Sequence, residues 1–294
     1  MSVISLEISA NARPSTFEVE AVNEHGVSVP TAVAGEHPLT LYLDKRELVT
    51  LMTLGAAPEH LALGYLRNQR LVTDLADLAA VQVDWETDSV AITSRILRTT
   101  GTTMWESLPE SAQLDSRLAR RTITTGCGQG SMFGDLMETL AEVVLPGAPR
   151  LSEEVLFTVM ERMRTHESIY RVAGAVHGCA LCSNAGADRG EILRFVEDVG
   201  RHNAVDAIAG WMWLEGVDGA DKIFYTTGRL TSEMVIKAAQ MGIPFLVSRS
   251  GLTQMGYEIA RKVGMTMIGR CQGRHYLLFT GKDRFVTRSA NLLA

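Results

Sequence analysis

The second half of the chain alternates short apolar runs with amphipathic segments, and this alternation limits the folds open to it. The apolar runs read "IFYTTG", "PFLVSRS" and "MTMIG", and helical patterns over about 233–241 and 254–264 separate them. Strands that alternate with helices usually join through right-handed crossovers into a parallel sheet. The pattern therefore predicts an α/β domain with a largely parallel sheet.

Two more helices and a buried strand are predicted in the same half. Ser152 is a suitable N-cap for a helix with an apolar stripe from Val155 to Met163, which is typical of a core-facing helix. Asn203 is a suitable cap for a helix through about Glu215, which Gly216 ends. The segment "AVHGCALCSNAG" is apolar enough for a buried strand.

The first half has a mixed pattern. The alternation in "LTLYL" predicts a strand, and Asp44 is expected to cap a helix that continues to about Leu54. "PEHLALGYL" begins another helix with Pro58 in its first turn, and "AVQVDW" and "SVAITS" predict a hairpin. The first 30 or so residues are expected to be a loose entry segment. "PGAPR" (146–150) indicates a hinge or domain boundary.

Composition excludes several classes of protein. The 294 residues are 46% apolar and 21% charged, and no apolar run reaches the roughly 18 to 20 residues that cross a bilayer. A net charge of −6 argues against nucleic-acid or membrane-surface partners. The N-terminus lacks an export pattern, and four scattered cysteines are typical of reduced thiols. We therefore expect a cytoplasmic globular protein.

Two strand-to-helix junctions have residues suited to an anion. They read "TTGRLTSE" (226–233) and "SRSGLTQ" (248–254), and each combines glycine, arginine and hydroxyl side chains. In the first junction Ser232 is the expected N-cap of the following helix. Ligands of α/β sheets gather where strands end and helices begin, and helix N-termini favour phosphate. Each junction alone is also compatible with ordinary turn chemistry. Together they favour a nucleotide-like ligand, although neither is a known nucleotide fingerprint.

The segment "EDVGRHNAVD" (197–206) has a denser set of polar groups. Asp198, Arg201, His202 and Asn203 surround one glycine just before an apolar helix. Capping explains Asn203 and a surface position would explain Arg201, but the whole cluster favours binding or catalysis. His202 is the member whose proton exchanges near neutral pH.

The cysteines leave four alternatives open. Cys127 lies in the glycine-rich "TTGCGQGSMF", where exposed backbone N–H groups would stabilise a nucleophilic thiolate. Cys179 and Cys182 form a C-x-x-C that, with His177 and Cys127, has the residue types of a zinc site. Packing in a buried strand and a redox or sulfur-handling role are the other two alternatives for this pair. Cys271 has no partner by spacing.

At these residues the chain resembles the formate dehydrogenase accessory sulfurtransferases, the FdhD/NarQ family, over roughly Pro38 to Phe285. The resemblance rests on "HPLTLYLDKRELVTLMTLGAAPEHLALGYL", "GAVHGCALCSNAG", "EDVGRHNAVD", "FYTTGRLTSEMVIKAAQMGIP" and "VGMTMIGRCQGRHYLLFTG". These segments follow the order and spacing of that family.

The resemblance implies a fold and a task. The fold is α/β, with a small α+β N-terminal domain over 1–125 and a cytidine-deaminase-like three-layer domain over 126–294, as a homodimer. The task is to accept sulfur from a cysteine desulfurase as a persulfide and deliver it to a bis-molybdopterin guanine dinucleotide cofactor, with molybdenum or tungsten. This delivery activates the catalytic subunit of formate dehydrogenase. No dedicated metal ion is expected.

The resemblance also assigns residues. Cys127 matches the sulfur-carrying cysteine of the family's C-x-x-C loop, whereas Gly130 replaces the second cysteine. The family's C-terminal cofactor-binding stretch, which usually has an aromatic residue and two arginines, here reads "RCQGRH". The expected cofactor-binding residues are Arg201, His202, Asn203, Thr227, Gly228, Arg229, Ser232, Ser248, Ser250, Arg270, Cys271, Gln272, Gly273, Arg274 and His275.

Two other functions remain open. One is a cofactor-binding chaperone without catalysis, in which Cys127 has no role. The other is a zinc hydrolase of the deaminase type, which the sequence disfavours because it lacks H-x-E followed by P-C-x-x-C.

Overall fold

A computed structural model describes residues 6–107, 122–123, 130–131, 140 and 143–287. The chain folds into two compact units. The first unit comprises Met1–Asp135, Ile169–Val176 and Glu197–Glu215, and the second comprises Leu136–Ser168, His177–Val196 and Gly216–Ala294. The expected boundary between residues 125 and 126 falls outside the described residues and stays a prediction.

The elements are numbered in chain order. The strands are β1 (Glu7–Ile8), β2 (Thr16–Val22), β3 (Ser28–Ala34), β4 (His37–Leu43), β5 (Arg46–Thr53), β6 (Leu78–Asp84), β7 (Ser89–Ser94), β8 (Thr122–Ile123), β9 (Gly130–Ser131), β10 (Leu151–Ser152), β11 (His177–Ser183), β12 (Ile192–Asp198), β13 (Lys222–Thr226), β14 (Phe245–Ser248), β15 (Thr266–Gln272), β16 (His275–Leu278) and β17 (Phe285–Val286). The helices are α1 (Pro58–Asn68), α2 (Arg95–Thr100), α3 (Glu153–Thr165), α4 (Ile169–Ala173), α5 (Arg201–Leu214), α6 (Ser232–Gln240) and α7 (Gln254–Lys262).

The first unit contains a five-stranded sheet in the order β1-β6-β7-β4-β5. Its strands alternate in the way the sequence predicts, because Leu39, Leu41 and Leu43 of β4 are all fully buried. The predicted hairpin of β6 and β7 and the helix that begins at Pro58 are confirmed.

The helix expected from Asp44 to Leu54 is wrong, because these residues form a turn and a strand. β5 pairs antiparallel with β4 across the two-residue turn Asp44-Lys45. Both turn residues have positive φ, 48° and 68°, as the tight turns of hairpins require. The Asp44 carboxylate stabilises this conformation by accepting hydrogen bonds from the backbone N–H and hydroxyl of Ser94.

The N-terminal segment is more regular than expected. β1 pairs with β6, and β2 and β3 form a two-stranded antiparallel ribbon. One ribbon face is apolar, with Phe17 opposite Val33, and the other has Glu18 and Glu20. The expectation of a loose entry segment is therefore wrong, because the alternation along these strands favours a ribbon.

Helices α1 and α5 of the first unit pack against each other through two glycines. A Cβ atom added to Gly64 would lie 1.6 Å from the carbonyl oxygen of Asp206, and one added to Gly210 would lie 1.9 Å from that of His60. The helices can therefore approach this closely only because glycine has no Cβ atom at these two positions. It fixes the position of α5, which begins with Arg201.

The second unit contains a six-stranded sheet in the order β12-β11-β13-β14-β15-β16. Strands β13, β14 and β15 are parallel, with α6 and α7 as their crossovers. β11 pairs antiparallel with β13, and β16 with β15. The parallel part of the predicted sheet is confirmed, and the antiparallel edge at β16 follows from its short hairpin.

One face of this sheet holds an apolar core. Ser152 caps α3 by accepting a hydrogen bond from the backbone N–H of Val155, as predicted. The α3 side chains Leu156 and Val159 are fully buried in the same cluster as Tyr225 and Val247 of the sheet. The predicted apolar stripe of α3 is therefore a core face.

The mixture of helices and strands confirms the α/β class. The expected likeness to cytidine deaminases stays a prediction. None of the described helices has the length and apolar character that crossing a bilayer requires.

Candidate functional site

The two predicted junctions lie side by side at one edge of the second unit's sheet. β13 and β14 run parallel, and their last residues, Thr226 and Ser248, are paired in register. Residues 227–231 follow β13 and residues 249–253 follow β14. The structure therefore brings the two segments together at the carboxyl ends of the strands, where α/β sheets bind their ligands.

Hydrogen bonds connect the junctions to each other. The buried hydroxyl of Ser248 donates to the Gly228 carbonyl oxygen at 2.6 Å and accepts from the Ser250 backbone N–H at 2.9 Å. The backbone N–H of Leu230 donates to the Gly251 carbonyl oxygen at 3.0 Å. Ser248 thus holds the turns in place.

The two helices that begin here differ in their capping. The Thr253 hydroxyl caps α7 by accepting from the Gly256 backbone N–H at 3.2 Å. The N-cap of α6 is Thr231, not the predicted Ser232, and no side chain caps this helix. The buried Oγ1 of Thr231 has no hydrogen-bond partner in the described part of the chain. The N-terminus of α6 therefore has no side-chain cap in the described part of the chain, which suits an anion.

The other β13–α6 side chains fall into two groups. The Thr227 hydroxyl accepts a hydrogen bond from the Gly178 backbone N–H at 3.0 Å, so it supports the turn. Arg229 is exposed beside the uncapped helix and makes no ion pair with a described carboxylate. Arg229 is thus the charged group of this junction that is placed to meet an incoming phosphate.

The predicted C-terminal stretch forms the hairpin between β15 and β16. Gln272 pairs with His275 across a two-residue turn, in which Gly273 has a φ of 59°. The Arg274 guanidinium lies 4.9 Å from the centre of the Phe157 ring. Arg270 is exposed with a φ of 54°, so this hairpin is a basic surface element.

The "EDVGRHNAVD" cluster lies in the first unit and centres on the buried carboxylate of Asp198. Its Oδ2 accepts from the Thr53 hydroxyl at 2.5 Å and the Leu54 backbone N–H at 3.0 Å. Its Oδ1 accepts from the Gly200 backbone N–H at 2.9 Å and the Asn203 amide at 2.8 Å. Burial raises the pKa of Asp198, and these hydrogen bonds oppose that rise. Asp198 therefore connects the end of β5 to the start of α5.

The three predicted binding residues of this cluster are all buried. Asn203 does not cap α5, because the N-cap is Gly200, and its amide also donates to the Met52 carbonyl oxygen at 2.7 Å. His202 is 1% exposed. Arg201 is 5% exposed, and its Nε has no hydrogen-bond partner among the described residues. Arg201 thus keeps a donor that no described residue uses, while Asn203 has a structural role.

Three of the four cysteines are buried in the second unit's sheet. Cys179 donates to the Thr226 hydroxyl, with 3.3 Å between Sγ and Oγ1, whereas Cys182 lies in the α3-facing core with Cys271. Because Cys179 and Cys182 are three positions apart on a strand, they face opposite sides of the sheet and do not bind one ion together. Within the described part of the chain, no three metal-binding side chains form a site. The opposite facing of Cys179 and Cys182 therefore disfavours the zinc alternative, whose further cysteine, Cys127, lies outside the described residues.

Burial also suppresses the reactivity of these thiols. It raises the pKa of the Cys182 thiol to about 12, against the opposing charge of Arg162. It raises the pKa of Cys271 to about 12 as well. Cys271 was predicted to bind the cofactor, but its side chain lies in the core and only its neighbours are exposed.

Cys127 lies outside the described residues. The strands on either side of it in the sequence, β8 and β9, pair antiparallel, with Ile123 opposite Gly130. Sequence reasoning missed Thr231 and the structural role of Asp198. In "RLTSE" either hydroxyl residue could cap the helix, and nothing in the sequence indicates that Asp198 accepts four hydrogen bonds.

Known proteins are similar to this chain over most of its length. The model of the FdhD/NarQ family matches residues 34–286. A relative named sulfur carrier protein FdhD from Listeria monocytogenes serotype 4b (strain F2365) is 26% identical over 282 residues, covering 95% of this chain and 99% of the relative. The protein of the same name from Bacillus subtilis (strain 168) is 26% identical over 250 residues, covering 85% and 88%.

A solved structure has the same fold. It comes from Desulfotalea psychrophila and is described as a formate dehydrogenase accessory protein. It superposes with a TM-score of 0.70 at 22% identity, covering 93% of this chain and 100% of that one. Since the family model spans most of the sequence, from β3 to β17, the chain belongs to the FdhD/NarQ family.

Proposed function

We propose that this protein is a sulfur carrier and sulfurtransferase, with Cys127 as its persulfide site. Membership in the FdhD/NarQ family and the name that the relatives bear, sulfur carrier protein, support the proposal. The donor is a cysteine desulfurase, and the client is the catalytic subunit of a formate dehydrogenase. The protein acts in the cytoplasm as a homodimer.

The burial of the other cysteines is the observation that carries this assignment. Cys179 and Cys182 are fully buried, and Cys271 is 4% exposed. A persulfide donor has to approach its acceptor thiol, and the thiol has to ionise. Burial opposes both requirements at these three positions, which leaves Cys127 as the candidate.

The first chemical step is a thiolate attack. The Cys127 thiolate attacks the terminal sulfur of the desulfurase persulfide, and the sulfur–sulfur bond of that persulfide breaks. The desulfurase cysteine leaves as a thiolate, and Cys127 holds the terminal sulfur. The step moves one sulfur atom without a net change in the number of electrons. A single cysteine is sufficient, so the replacement of the second loop cysteine by Gly130 is compatible with it.

The proposed cargo is the bis-molybdopterin guanine dinucleotide cofactor. The uncapped N-terminus of α6 and the exposed Arg229 suit one of its phosphates, and the basic β15–β16 hairpin adds further positive charge. The chemistry of these donors therefore fits the phosphate groups of a nucleotide. The α7 junction is a weaker candidate, because Thr253 already caps that helix.

Intact mass spectrometry tests the persulfide site. Incubation with a cysteine desulfurase and cysteine should add the mass of one sulfur atom, and dithiothreitol should remove it. Cys127→Ala should remain unmodified, whereas the matched control Cys271→Ala should still be loaded. An equal adduct on Cys127→Ala would move the chemistry to a buried cysteine and refute the assignment.

The absence of the second loop cysteine favours an alternative function, that of a cofactor-binding chaperone. The two functions differ in how they depend on the thiol. Cys127→Ala should abolish activation of formate dehydrogenase in a strain that lacks the native accessory protein, with unchanged affinity for GDP. Full activation by this variant would establish the chaperone instead.

A further inference from the structure

A cavity of about 480 Å³ lies in the second unit at the edge opposite the two junctions. Its lining includes Gly264 and Met265, which directly precede β15. It also includes Phe279 and Thr280, which follow β16 and hydrogen-bond to Met267 of β15. Because β13, β14 and β15 are parallel, this is the amino-terminal edge of the strands. The cavity is therefore separate from the proposed cofactor junctions.

Positive charge dominates the cavity lining. Arg261, Lys282 and Arg284 line it, whereas Asp283 is the acidic residue of the lining. None of the three cations forms an ion pair with a carboxylate in the described part of the chain. In a chain with a net charge of −6, such a concentration of unpaired cations creates a local positive potential.

Arg284 is the most informative of these residues, because it is only 5% exposed. Its Nη1 donates to the Pro146 carbonyl oxygen at 3.0 Å, and its guanidinium lies 5.8 Å from the centre of the Phe245 ring. Burial lowers the pKa of Arg284; the charge of Asp283 opposes this effect, and the charge of Arg150 adds to it to a smaller extent. A buried cation without a carboxylate partner is costly unless an anion compensates it.

We propose that this cavity binds a small phosphate-bearing anion. Arg284 forms the charged floor, and Arg261 and Lys282 contact the anion from the rim. Gly147, Gly264 and Gly281 also line the cavity, so the ligand can approach the backbone closely. The volume exceeds that of a single phosphate, and Tyr257 and Phe279 provide apolar surface for an organic portion.

The cavity is connected to the segment 145–150, which precedes β10 within the second unit. Leu145 and Gly147 line the cavity, and Arg284 holds the carbonyl oxygen of Pro146 between them. An anion that contacts Arg284 would therefore restrict the motion of this segment. Occupancy of the site should be detectable as slower amide hydrogen exchange in residues 145–150.

Calorimetric titration of the full chain with inorganic pyrophosphate, in low-salt buffer, tests the proposal. Pyrophosphate should bind, and Lys282→Ala and Arg261→Ala should each weaken binding about tenfold or more, since each removes a charge-assisted hydrogen bond. Both side chains are exposed, so these variants should fold. Lys262→Ala is the matched control, because it removes a neighbouring exposed charge that does not line the cavity. Its affinity should stay within about twofold of the wild type.

Three results would overturn the proposal. They are the absence of pyrophosphate binding, an equal loss in Lys262→Ala, and an unchanged exchange rate in residues 145–150. Arg229→Ala separates this site from the proposed function, since it should weaken GDP binding and leave pyrophosphate binding intact. Loss of pyrophosphate binding in Arg229→Ala would place the anion at the α6 junction and refute the cavity site. Titration of Lys282→Ala with GDP shows whether a nucleotide binds in the cavity. A lower affinity for GDP than in the wild type would support binding there.

Discussion

The contact between α1 and α5 predicts that Gly64→Ala destabilises the first unit. The added Cβ would lie 1.6 Å from the Asp206 carbonyl oxygen and 2.8 Å from the backbone nitrogen of Gly210. Both obstacles are backbone atoms of α5, so no rotamer change relieves the clash. The two helices would have to separate by about 1.5 to 2 Å to restore ordinary contact distances.

Two opposing effects set the magnitude. Alanine is favoured over glycine within a helix by up to about 1 kcal/mol. Overpacking of a core typically costs about 1 to 3 kcal/mol of stability. We expect the upper end of this range here, because a clash with backbone atoms separates the two helices and weakens all of their contacts. We therefore expect a net decrease of about 2 kcal/mol in the free energy of unfolding.

Urea denaturation followed by far-UV circular dichroism measures this change. Gly147→Ala is the matched control, because a Cβ there meets nothing within 4 Å. It should change the free energy of unfolding by less than about 0.5 kcal/mol. The reasoning fails if Gly64→Ala is as stable as the wild type, because that result would mean the helices separate without cost.

Four more predictions concern the core and the site. Leu156→Ala should lower the free energy of unfolding by about 2 to 5 kcal/mol in urea titrations, because it opens a cavity in the α3 core; an effect below about 1 kcal/mol would contradict this packing. In Cys127→Ala, Ellman's reagent at pH 8 should modify the native thiols far more slowly than the unfolded ones, since a pKa of about 12 keeps Cys182 and Cys271 protonated until the pH approaches that value. Arg229→Ala should weaken GDP binding by about 1.5 to 3 kcal/mol in calorimetry, and unchanged affinity would exclude this junction. Gly130→Cys should speed sulfide release from the loaded protein, because a second thiol attacks the persulfide; equal release rates would count against Cys127 as its carrier.

Sequence patterns predicted the elements whose signals are local. The α1 helix begins at Pro58, the Ser152 side chain caps α3, and the β6–β7 hairpin lies where alternation indicated it. These features depend on residues that are close in the sequence. Their physical causes, capping and alternating burial, can therefore be recognised without the fold.

The errors have identifiable physical causes. "LYLDKRELV" lacks the Asn-Gly or Asp-Gly signal of a tight hairpin, so the helix-forming residues after Asp44 favoured a helix. The strand forms instead because β5 pairs with β4 and buries Leu48 and Leu51. Tertiary pairing of this kind overrides local propensity.

The sequence pattern predicted two strand-to-helix junctions in one sheet, but it did not predict the hydrogen bonds within them. The two junctions lie together at one sheet edge, as the strand–helix alternation requires. Which hydroxyl supports the turn and which remains open depended on hydrogen bonds between separate segments. Ser248, for example, binds Gly228, which lies twenty residues earlier. Such long-range pairings have no local signal in the sequence.

The first unit is built from segments that are far apart in the sequence, and this affects how it folds during synthesis. The Thr53 hydroxyl hydrogen-bonds to Asp198, which follows it by 145 residues. The face of α1 that includes Gly64 packs against α5. A nascent chain that ends near residue 135 therefore has an unfinished core, with buried side chains of α1 open to water. At about 5 to 20 residues per second, this state lasts several seconds during translation. The N-terminal segment should consequently depend on chaperones until α5 emerges, and a fragment cut at residue 135 should aggregate.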